Sequence, residues 1–243
     1  MNSSSSSPDA ASPRRHRVVR IFLRVAAGTA VLTGIIGALH FPFAAPILRT
    51  IFPGSVCPIM RGTPEQIDRA HALGAAAIRA AAASPAAARP ALGFALDRTR
   101  KSDLDAWASS NRVSCGSIAG NETLQRCTDV SAAAVGQSSD LGPLEEVTFE
   151  FQSTGQLVNV QTLRRHLTPE QAAHTVAELE RGAAATLGKP SSQGGEPTVA
   201  HLSRSLLATY VAVHAFTDYR ATVSATNLAQ TGIMVREEYL SAR

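Results

Sequence analysis

Residues 146–163 contain the clearest secondary-structure signal in the chain, EVTFEFQSTGQLVNVQTL. Apolar and polar side chains alternate strictly over residues 146–152, a period of two that is typical of a β-strand with one buried face. The turn-forming residues 153–155 separate this segment from a second apolar-rich segment at 156–163. The stretch therefore predicts a β-hairpin, and with it an antiparallel sheet.

A helix is predicted a few residues after this hairpin. TPEQ at 168–171 offers a threonine that can cap the helix, a proline suited to its first position and a glutamine that can return the capping hydrogen bond. An apolar period of 3.6 continues to Leu187, and GKP at 188–190 has the glycine and proline typical of a helix end. TPEQ also occurs at 63–66, where it predicts a helix ending near Ala83. The repeat leaves open an internal duplication of a helix-plus-sheet unit or a chance recurrence of a favoured cap.

The rest of this region adds strands that are grouped between helices. The predicted elements are a short strand at 93–96, a helix at 99–110, a hairpin of 112–118 and 122–130, and a meander of strands at 205–216, 220–227 and 233–240. Trp107 is expected to anchor the core from the helix at 99–110. Because strands and helices do not alternate as βαβ units, we predict an α+β fold with an antiparallel sheet packed by two or three helices.

Residues 168–243 resemble the small periplasmic α+β domains of the β-lactamase-inhibitor-protein-like type, which include the SmpA/OmlA lipoproteins. The resemblance rests on the threonine-initiated helix at Thr168, the Leu-Gly-x-Pro at 187–190 and the strands that follow. The helix is longer here than in that family, and no lipidated cysteine is present. The resemblance implies a fold and carries no function with it.

The positive charge of the chain is concentrated near its start. Residues 1–49 hold six arginines against one acidic residue, whereas residues 50–243 hold 17 basic and 18 acidic side chains, a net charge of −1 (17 − 18). A nearly neutral globular part lacks the basic surface on which nucleic-acid binding depends, so we predict no nucleic-acid partner.

Residues 18–44 predict a single transmembrane helix, because residues 25–48 contain no charged side chain and a bilayer core is spanned by about 20 apolar residues. Arginines before this segment and almost none directly after it orient the amino terminus towards the cytoplasm. A cleaved secretory signal and a buried core helix are the alternatives.

The sequence thus predicts four regions of a bacterial inner-membrane protein. They are a disordered basic cytoplasmic tail at 1–17, a membrane anchor at 18–44, a proline-rich linker at 45–62 and a periplasmic α+β domain at 63–243. The lipid bilayer is the expected partner of residues 18–44. If the signal is cleaved instead, the domain is a soluble exported protein.

Cys115 and Cys127 are expected to face each other across a hairpin. A three-residue loop at 120–122 has its centre at residue 121, from which both cysteines lie six positions away. Opposite residues in an antiparallel pair have neighbouring Cβ atoms, so a disulfide is predicted outside the cytoplasm. Two free thiols and a metal or redox pair are the alternatives. Cys57 is a free thiol, half of an intermolecular disulfide or a residue without a special role.

The chain contains no nucleophile elbow, phosphate-binding loop or dinucleotide fingerprint, so we predict no catalytic residue, no metal ligand and no cofactor. His174 and Glu178 stand one helical turn apart, as an ordinary pair or as half of a metal site. The runs at 164–166 (RRH) and 236–238 (REE) are expected to be charges on edge strands that discourage pairing with other chains. If either run is functional, we expect it to contact a partner.

These observations favour a membrane-anchored, non-enzymatic interaction or accessory domain of the cell envelope, with another envelope protein as its candidate partner. An enzyme or a small-ligand sensor built from dispersed residues is the alternative. A pocket that gathers polar or titratable side chains would favour the alternative, whereas a continuous exposed apolar surface would favour the interaction domain.

Overall fold

A computed structural model describes residues 63–243. The predicted tail, anchor and linker at 1–62 lie outside the described residues, as does Cys57. Of the helices within 63–243, none combines the length and the apolar character that crossing a membrane would require.

The described chain contains helices, strands and two short 3₁₀ turns. The helices are α1 (Pro64–Ala81), α2 (Lys101–Asn111), α3 (Pro169–Leu187) and α4 (Val199–Leu202), and the 3₁₀ turns are Ala132–Val135 and Ser139–Leu141. The strands are β1 (Ser114–Ile118), β2 (Asn121–Val130), β3 (Leu144–Phe151), β4 (Leu157–Leu167), β5 (Ser192–Gly194), β6 (Thr209–Phe216), β7 (Tyr219–Leu228) and β8 (Gly232–Ser241).

The strands form one eight-stranded sheet in the order β1-β2-β3-β4-β8-β7-β6-β5, and every neighbouring pair is antiparallel. The predicted α+β fold with an antiparallel sheet is therefore confirmed. Each half of the sheet is a meander of four consecutive strands. Because β4 and β8 pair with each other, the last strands of the two meanders meet at the centre of the sheet.

Helix α3 packs on one face of the sheet, against β4, β7 and β8. Its start has the predicted capping box: the Thr168 hydroxyl accepts from the Gln171 amide at 3.3 Å, and the Gln171 side chain accepts from the Thr168 amide at 2.9 Å. Val176 and Leu179 of the helix lie buried in a cluster with Tyr210 of β6. The apolar stripe read from the sequence is the face that the helix buries.

A cluster of three aromatic side chains packs against the first meander, which consists of β1–β4. Trp107 of α2 contacts Phe94 and Phe149 edge-on, and its ring centroid lies 5.1 and 6.0 Å from theirs. Trp107 is therefore the predicted core anchor. The prediction of a strand at 93–96 is wrong, because the Phe94 amide donates to the Ala91 carbonyl within a turn and the apolar side chains pack without a neighbouring strand.

The prediction that the charged runs at 164–166 and 236–238 lie on edge strands is also wrong. The first run belongs to β4 and the second to β8, the two strands at the centre of the sheet. The side chains of Arg164 and Glu237 are buried. A charged run near a strand end does not reveal which strand lies beside it, and in this fold the neighbour comes from the other meander.

Candidate functional site

Arg164 of β4 and Glu237 of β8 form a buried ion pair where the two meanders meet. Both side chains are 2% exposed, and Arg164 Nη1 lies 3.7 Å from Glu237 Oε2. In the ladder Thr162 is directly opposite Glu237, and Arg164 is opposite Val235, so the two charged residues are diagonal neighbours. Alternation along both strands places them on the face that α3 covers.

The carboxylate of Glu237 is well supplied with hydrogen-bond donors. Oε2 accepts from Gln137 Nε2 at 2.6 Å and from Thr162 Oγ1 at 2.9 Å, and Oε1 accepts from the Tyr239 hydroxyl at 2.7 Å. Burial and the adjacent Glu237 carboxylate raise the pKa of Tyr239 well above its usual value, so this hydroxyl stays a donor. Glu237 is thus held by three neutral donors as well as by the nearby guanidinium.

Arg164 is less completely bonded. Its Nη2 donates to Gln137 Oε1 at 2.6 Å, but within residues 63–243 neither Nε nor Nη1 has an acceptor within hydrogen-bond distance. Burial lowers the pKa of Arg164, and the Glu237 carboxylate opposes that effect. Because a buried donor without an acceptor costs about 1–3 kcal/mol, an acceptor beside either of these two guanidinium nitrogens would stabilise the fold.

Arg164 is also one of the residues that line a cavity of about 400 Å³. Leu141, Leu144 and Thr175 contribute buried walls, and the rim carries exposed polar side chains. The polar residues at the rim are Asp129, Asp140, Gln171 and His174, with half-buried Glu145 and Arg165 joined by a 2.9 Å ion pair. The cavity therefore has an apolar wall, a buried guanidinium and a charged entrance.

A second cavity, of about 380 Å³, lies beside the same network. Glu237 and Tyr239 line it together with Gln137, and most of its remaining wall is apolar. Leu141 lines both cavities. The loop at 136–143 thus contributes to the walls of both spaces, and its Gln137 side chain joins Arg164 to Glu237.

The loop holds Gln137 through local turns. Gly136 and Gly142 have φ angles of 72° and 68°, a left-handed region that glycine adopts without a steric penalty. The Gln137 amide donates to the Ala132 carbonyl at 2.9 Å, and the Ser138 hydroxyl accepts from the Asp140 amide at 3.3 Å. Backbone turns on both sides therefore direct the Gln137 side chain into the core.

The structure places Cys115 and Cys127 at disulfide distance, with 1.97 Å between their sulfur atoms and 4.0 Å between their Cα atoms. The hairpin turn differs from the predicted one, since it consists of residues 119–120 alone. A shift in register between Ser117 and Ile118 then brings Cys115 opposite Cys127. This is the pairing that a three-residue loop centred on residue 121 would give.

His174 and Glu178 have no third candidate metal ligand beside them among residues 63–243. In the part of the chain that the structure describes, no group of three or more histidine, cysteine, aspartate or glutamate side chains could hold a metal ion. Glu178 instead pairs with Arg181, which lowers the pKa of Glu178 and raises that of Arg181. His174 lies at the rim of the cavity beside Arg164.

Signals for this site in the sequence are weak. Val160, Thr162 and Arg164 lie on the same face of β4 because side chains alternate along a strand. The sequence could therefore have predicted that Arg164 is buried. The partnership with Glu237 follows only from the β4–β8 pairing, in which Glu237 lies 75 residues from its opposite Thr162. Nothing in the loop sequence marks Gln137.

No family model, curated protein or solved structure matches this chain. The resemblance of residues 168–243 to the β-lactamase-inhibitor-protein-like domains remains a prediction.

Proposed function

We propose that residues 63–243 form a non-enzymatic accessory domain of the cell envelope that works by binding a small ligand beside Arg164. The observation that carries this proposal is the buried Arg164, which lines a cavity of about 400 Å³ and has two guanidinium nitrogens without an acceptor among residues 63–243. Concave sites with a few fixed polar groups are typical of small-molecule binding, and this cavity combines a buried arginine with leucine side chains.

The hydrogen bonds of the network suit binding. Gln137 fixes one guanidinium nitrogen, and Glu237 is in turn fixed by Thr162 and Tyr239. Arg164 is therefore oriented before any ligand arrives, and a preorganised group loses little entropy on binding. Tyr239 keeps its proton, so it serves as a fixed donor to Glu237.

We further propose that residues 18–44 anchor this domain at the periplasmic face of the inner membrane. An uncharged stretch of the right length and the preceding arginines support the anchor. The cysteine pair at bonding distance fits an oxidising compartment, where disulfides persist.

Thermal unfolding of the full-length chain tests ligand binding. The melting temperature is measured with a panel of amino acids, peptides, carboxylates, phosphates and sugars at millimolar concentration. His174→Trp fills the rim of the cavity, and Ala177→Trp, at an exposed position of the same helix that does not line it, is the matched control.

At least one class of compound should raise the melting temperature of the wild type and of Ala177→Trp, and should have little effect on His174→Trp. A ligand that binds only the folded state raises stability by about 2.7 kcal/mol at 100 times its Kd. The proposal would be contradicted if no compound raised the melting temperature, or if a compound raised it equally in both variants.

A second candidate function is contact with another envelope protein. Leu206 and Leu207 are adjacent and 63% and 71% exposed, and Val199 of α4 is exposed as well. Neighbouring exposed apolar side chains are typical of interaction surfaces. Photo-crosslinking from position 206 in the host should then capture a protein that Leu207→Ser loses and Leu73→Ser, at another exposed leucine, retains.

A further inference from the structure

We infer that two copies of this chain associate through β1, an edge strand, so that the sheet of one copy continues into the sheet of the other. This inference goes beyond ligand binding and does not depend on it. The composition, the hydrogen-bonding geometry and the symmetry of the edge strand carry it.

β1 is an edge without the usual protection. Among residues 63–243 it pairs with β2 on one side and with no strand on the other. Its sequence, SCGSI, contains neither a charged residue nor a proline, and Ser114, Gly116 and Ser117 are exposed. Charges and prolines commonly protect an edge, because an open edge is a template for pairing with another chain.

The opposite edge of the sheet, β5, is protected. It has only three residues, Pro190 and Pro197 lie on either side of it, and Glu196 follows it. The two edges therefore differ, and β1 is the one suited to pairing with a further strand.

The cysteine pair shows which main-chain groups of β1 point outward. Cys115 and Cys127 are directly opposite each other, and their Cα atoms are 4.0 Å apart. This spacing fits a non-hydrogen-bonded antiparallel pair, at about 4.5 Å, rather than a hydrogen-bonded one, at about 5.5 Å. The N–H and C=O groups of Cys115 therefore point towards the open edge, and those of Ser117, two residues further on, do so as well.

This pattern is self-complementary about Gly116. If two copies of β1 run antiparallel with their Gly116 residues on a two-fold axis, Cys115 of each copy lies opposite Ser117 of the other. The outward groups of these residues then exchange about four main-chain hydrogen bonds. The two glycines form the non-hydrogen-bonded pair on the axis, where no side chain obstructs the close approach of the backbones. A surface that completes itself in this way favours a second copy over an unrelated peptide.

The position of α1 is compatible with this symmetry. Ala75 and Ile78 of α1 pack with Leu240, which the alternation along β8 places on the opposite face of the sheet from Glu237 and α3. The two-fold axis of an antiparallel strand pair is perpendicular to the sheet, so α1 lies on the same side of the dimer in both copies. Residues 1–62 precede this helix, and two chains anchored in one membrane can therefore form the pair without turning one domain over.

Sedimentation velocity of the full-length chain in detergent, over a range of concentrations, tests the inference. We expect a reversible equilibrium between monomer and dimer, because an interface of one short strand is small. Gly116→Lys places a positive charge on each side of the axis, beside Arg126 of β2, and should weaken the dimer at least tenfold. A Cβ atom at Gly116 meets no non-adjacent atom within 4 Å, so the monomer can accommodate the change. Ala177→Lys, at an exposed position of α3, is the matched control and should leave the dimer unchanged.

Mixing two variants tests the register. Positions 116 of the two copies face each other across the axis, so Gly116→Lys and Gly116→Asp should attract each other. With one variant carrying a fluorescent label, we expect a mixed dimer at least tenfold tighter than the dimer of Gly116→Lys alone. Recovery of association in the mixture also shows that Gly116→Lys is folded.

Three results would overturn the inference. They are a wild type that stays monomeric at the highest concentrations, a Gly116→Lys variant that dimerises as tightly as the wild type, and a mixture that associates no better than Gly116→Lys alone. Equal loss of the dimer in Ala177→Lys would also overturn it, because the effect would then not be specific to β1. The thermal panel measures ligand binding independently, so each of these results leaves the proposed function to its own test.

Discussion

At the scale of single residues, the buried pair of Arg164 and Glu237 stands out because burying a charge costs several kcal/mol per ion. Glu237 recovers part of that cost through hydrogen bonds from Gln137, Thr162 and Tyr239. Arg164 recovers less, since two of its nitrogens have no acceptor in the described region. Hydrophobic residues of similar volume often stabilise a buried site at least as well as an ion pair, so stability does not by itself account for this pair, which fits the ligand binding proposed for Arg164.

Breaking the pair on one side should be strongly destabilising. Glu237→Gln keeps the shape of the side chain but leaves the Arg164 charge uncompensated, and we expect a loss of about 3–5 kcal/mol in the free energy of unfolding. The double variant Arg164→Met with Glu237→Leu should recover most of that loss. Urea unfolding of the full-length chain measures both, and a cost below about 1 kcal/mol for the single variant would show that the site is solvated.

A second residue-scale prediction concerns Glu150 of β3. Burial raises the pKa of Glu150 above its ordinary value of 4.5. A 3.3 Å hydrogen bond from Asn159 and the nearby His71 lower this pKa, but by less than burial raises it. Relative to the unfolded chain, the folded state therefore favours the protonated form, so this group lowers stability increasingly as the pH rises from the ordinary pKa of 4.5 through the higher folded-state pKa. Below the ordinary value both states are protonated and the penalty is absent.

Glu150→Gln should accordingly raise the free energy of unfolding at neutral pH, and the gain should vanish as the pH falls below 4.5. Glu122→Gln, at an exposed position on the neighbouring strand, is the control and should show no comparable gain. Denaturant unfolding at several pH values gives the comparison. A gain that persists unchanged at acid pH would contradict the assignment to ionisation.

At the scale of elements, local chemistry was readable from the sequence. The TPEQ signals at 63–66 and 168–171 both begin helices at the following proline, because capping is decided by residues within one turn. The hairpin of residues 146–163 follows from its alternation and turn residues. The prediction of a strand at 93–96 is wrong because an apolar run indicates that the segment is buried but does not show that another strand lies beside it.

The β1–β2 hairpin gives the prediction that belongs to this scale. Replacing Cys115 and Cys127 together by serine should lower the free energy of unfolding by about 3 kcal/mol, because the closed loop restricts the unfolded chain. Urea unfolding of the oxidised wild type and the double variant measures the difference. Adding a reductant to the wild type should reproduce the effect, and equal stabilities with and without reductant would show that the bond does not form.

At the scale of the whole molecule, the sheet consists of two four-stranded meanders whose last strands pair. The sequence predicted an antiparallel sheet, but it did not predict this junction. Pairing of β4 with β8 depends on how the two halves bury their apolar faces together, which no short segment encodes. The candidate site lies at this junction, and so Arg164 and Glu237 were misassigned to edges while Cys115 and Cys127, within one hairpin, were placed correctly.

The proposed membrane topology can be tested by recovering the protein from the membrane fraction of its host and measuring its intact mass without reductant. A full-length chain about 2 Da lighter than the reduced mass would support both the anchor at 18–44 and the disulfide, since one bond removes two hydrogens. A chain shorter by roughly 40 residues would indicate a cleaved signal. A full-length, fully reduced chain would contradict the periplasmic placement of residues 63–243.

The most direct test of the ligand site follows the Nε–H group of Arg164 by nuclear magnetic resonance in the full-length chain. Its signal is assigned by its loss in Arg164→Lys, and the compound that most raises the melting temperature is then titrated into the wild type and into the rim-filled His174→Trp. If a ligand binds beside Arg164, we expect a saturable shift of this signal in the wild type and little change in His174→Trp. An unmoved Arg164 signal at saturating ligand would contradict it.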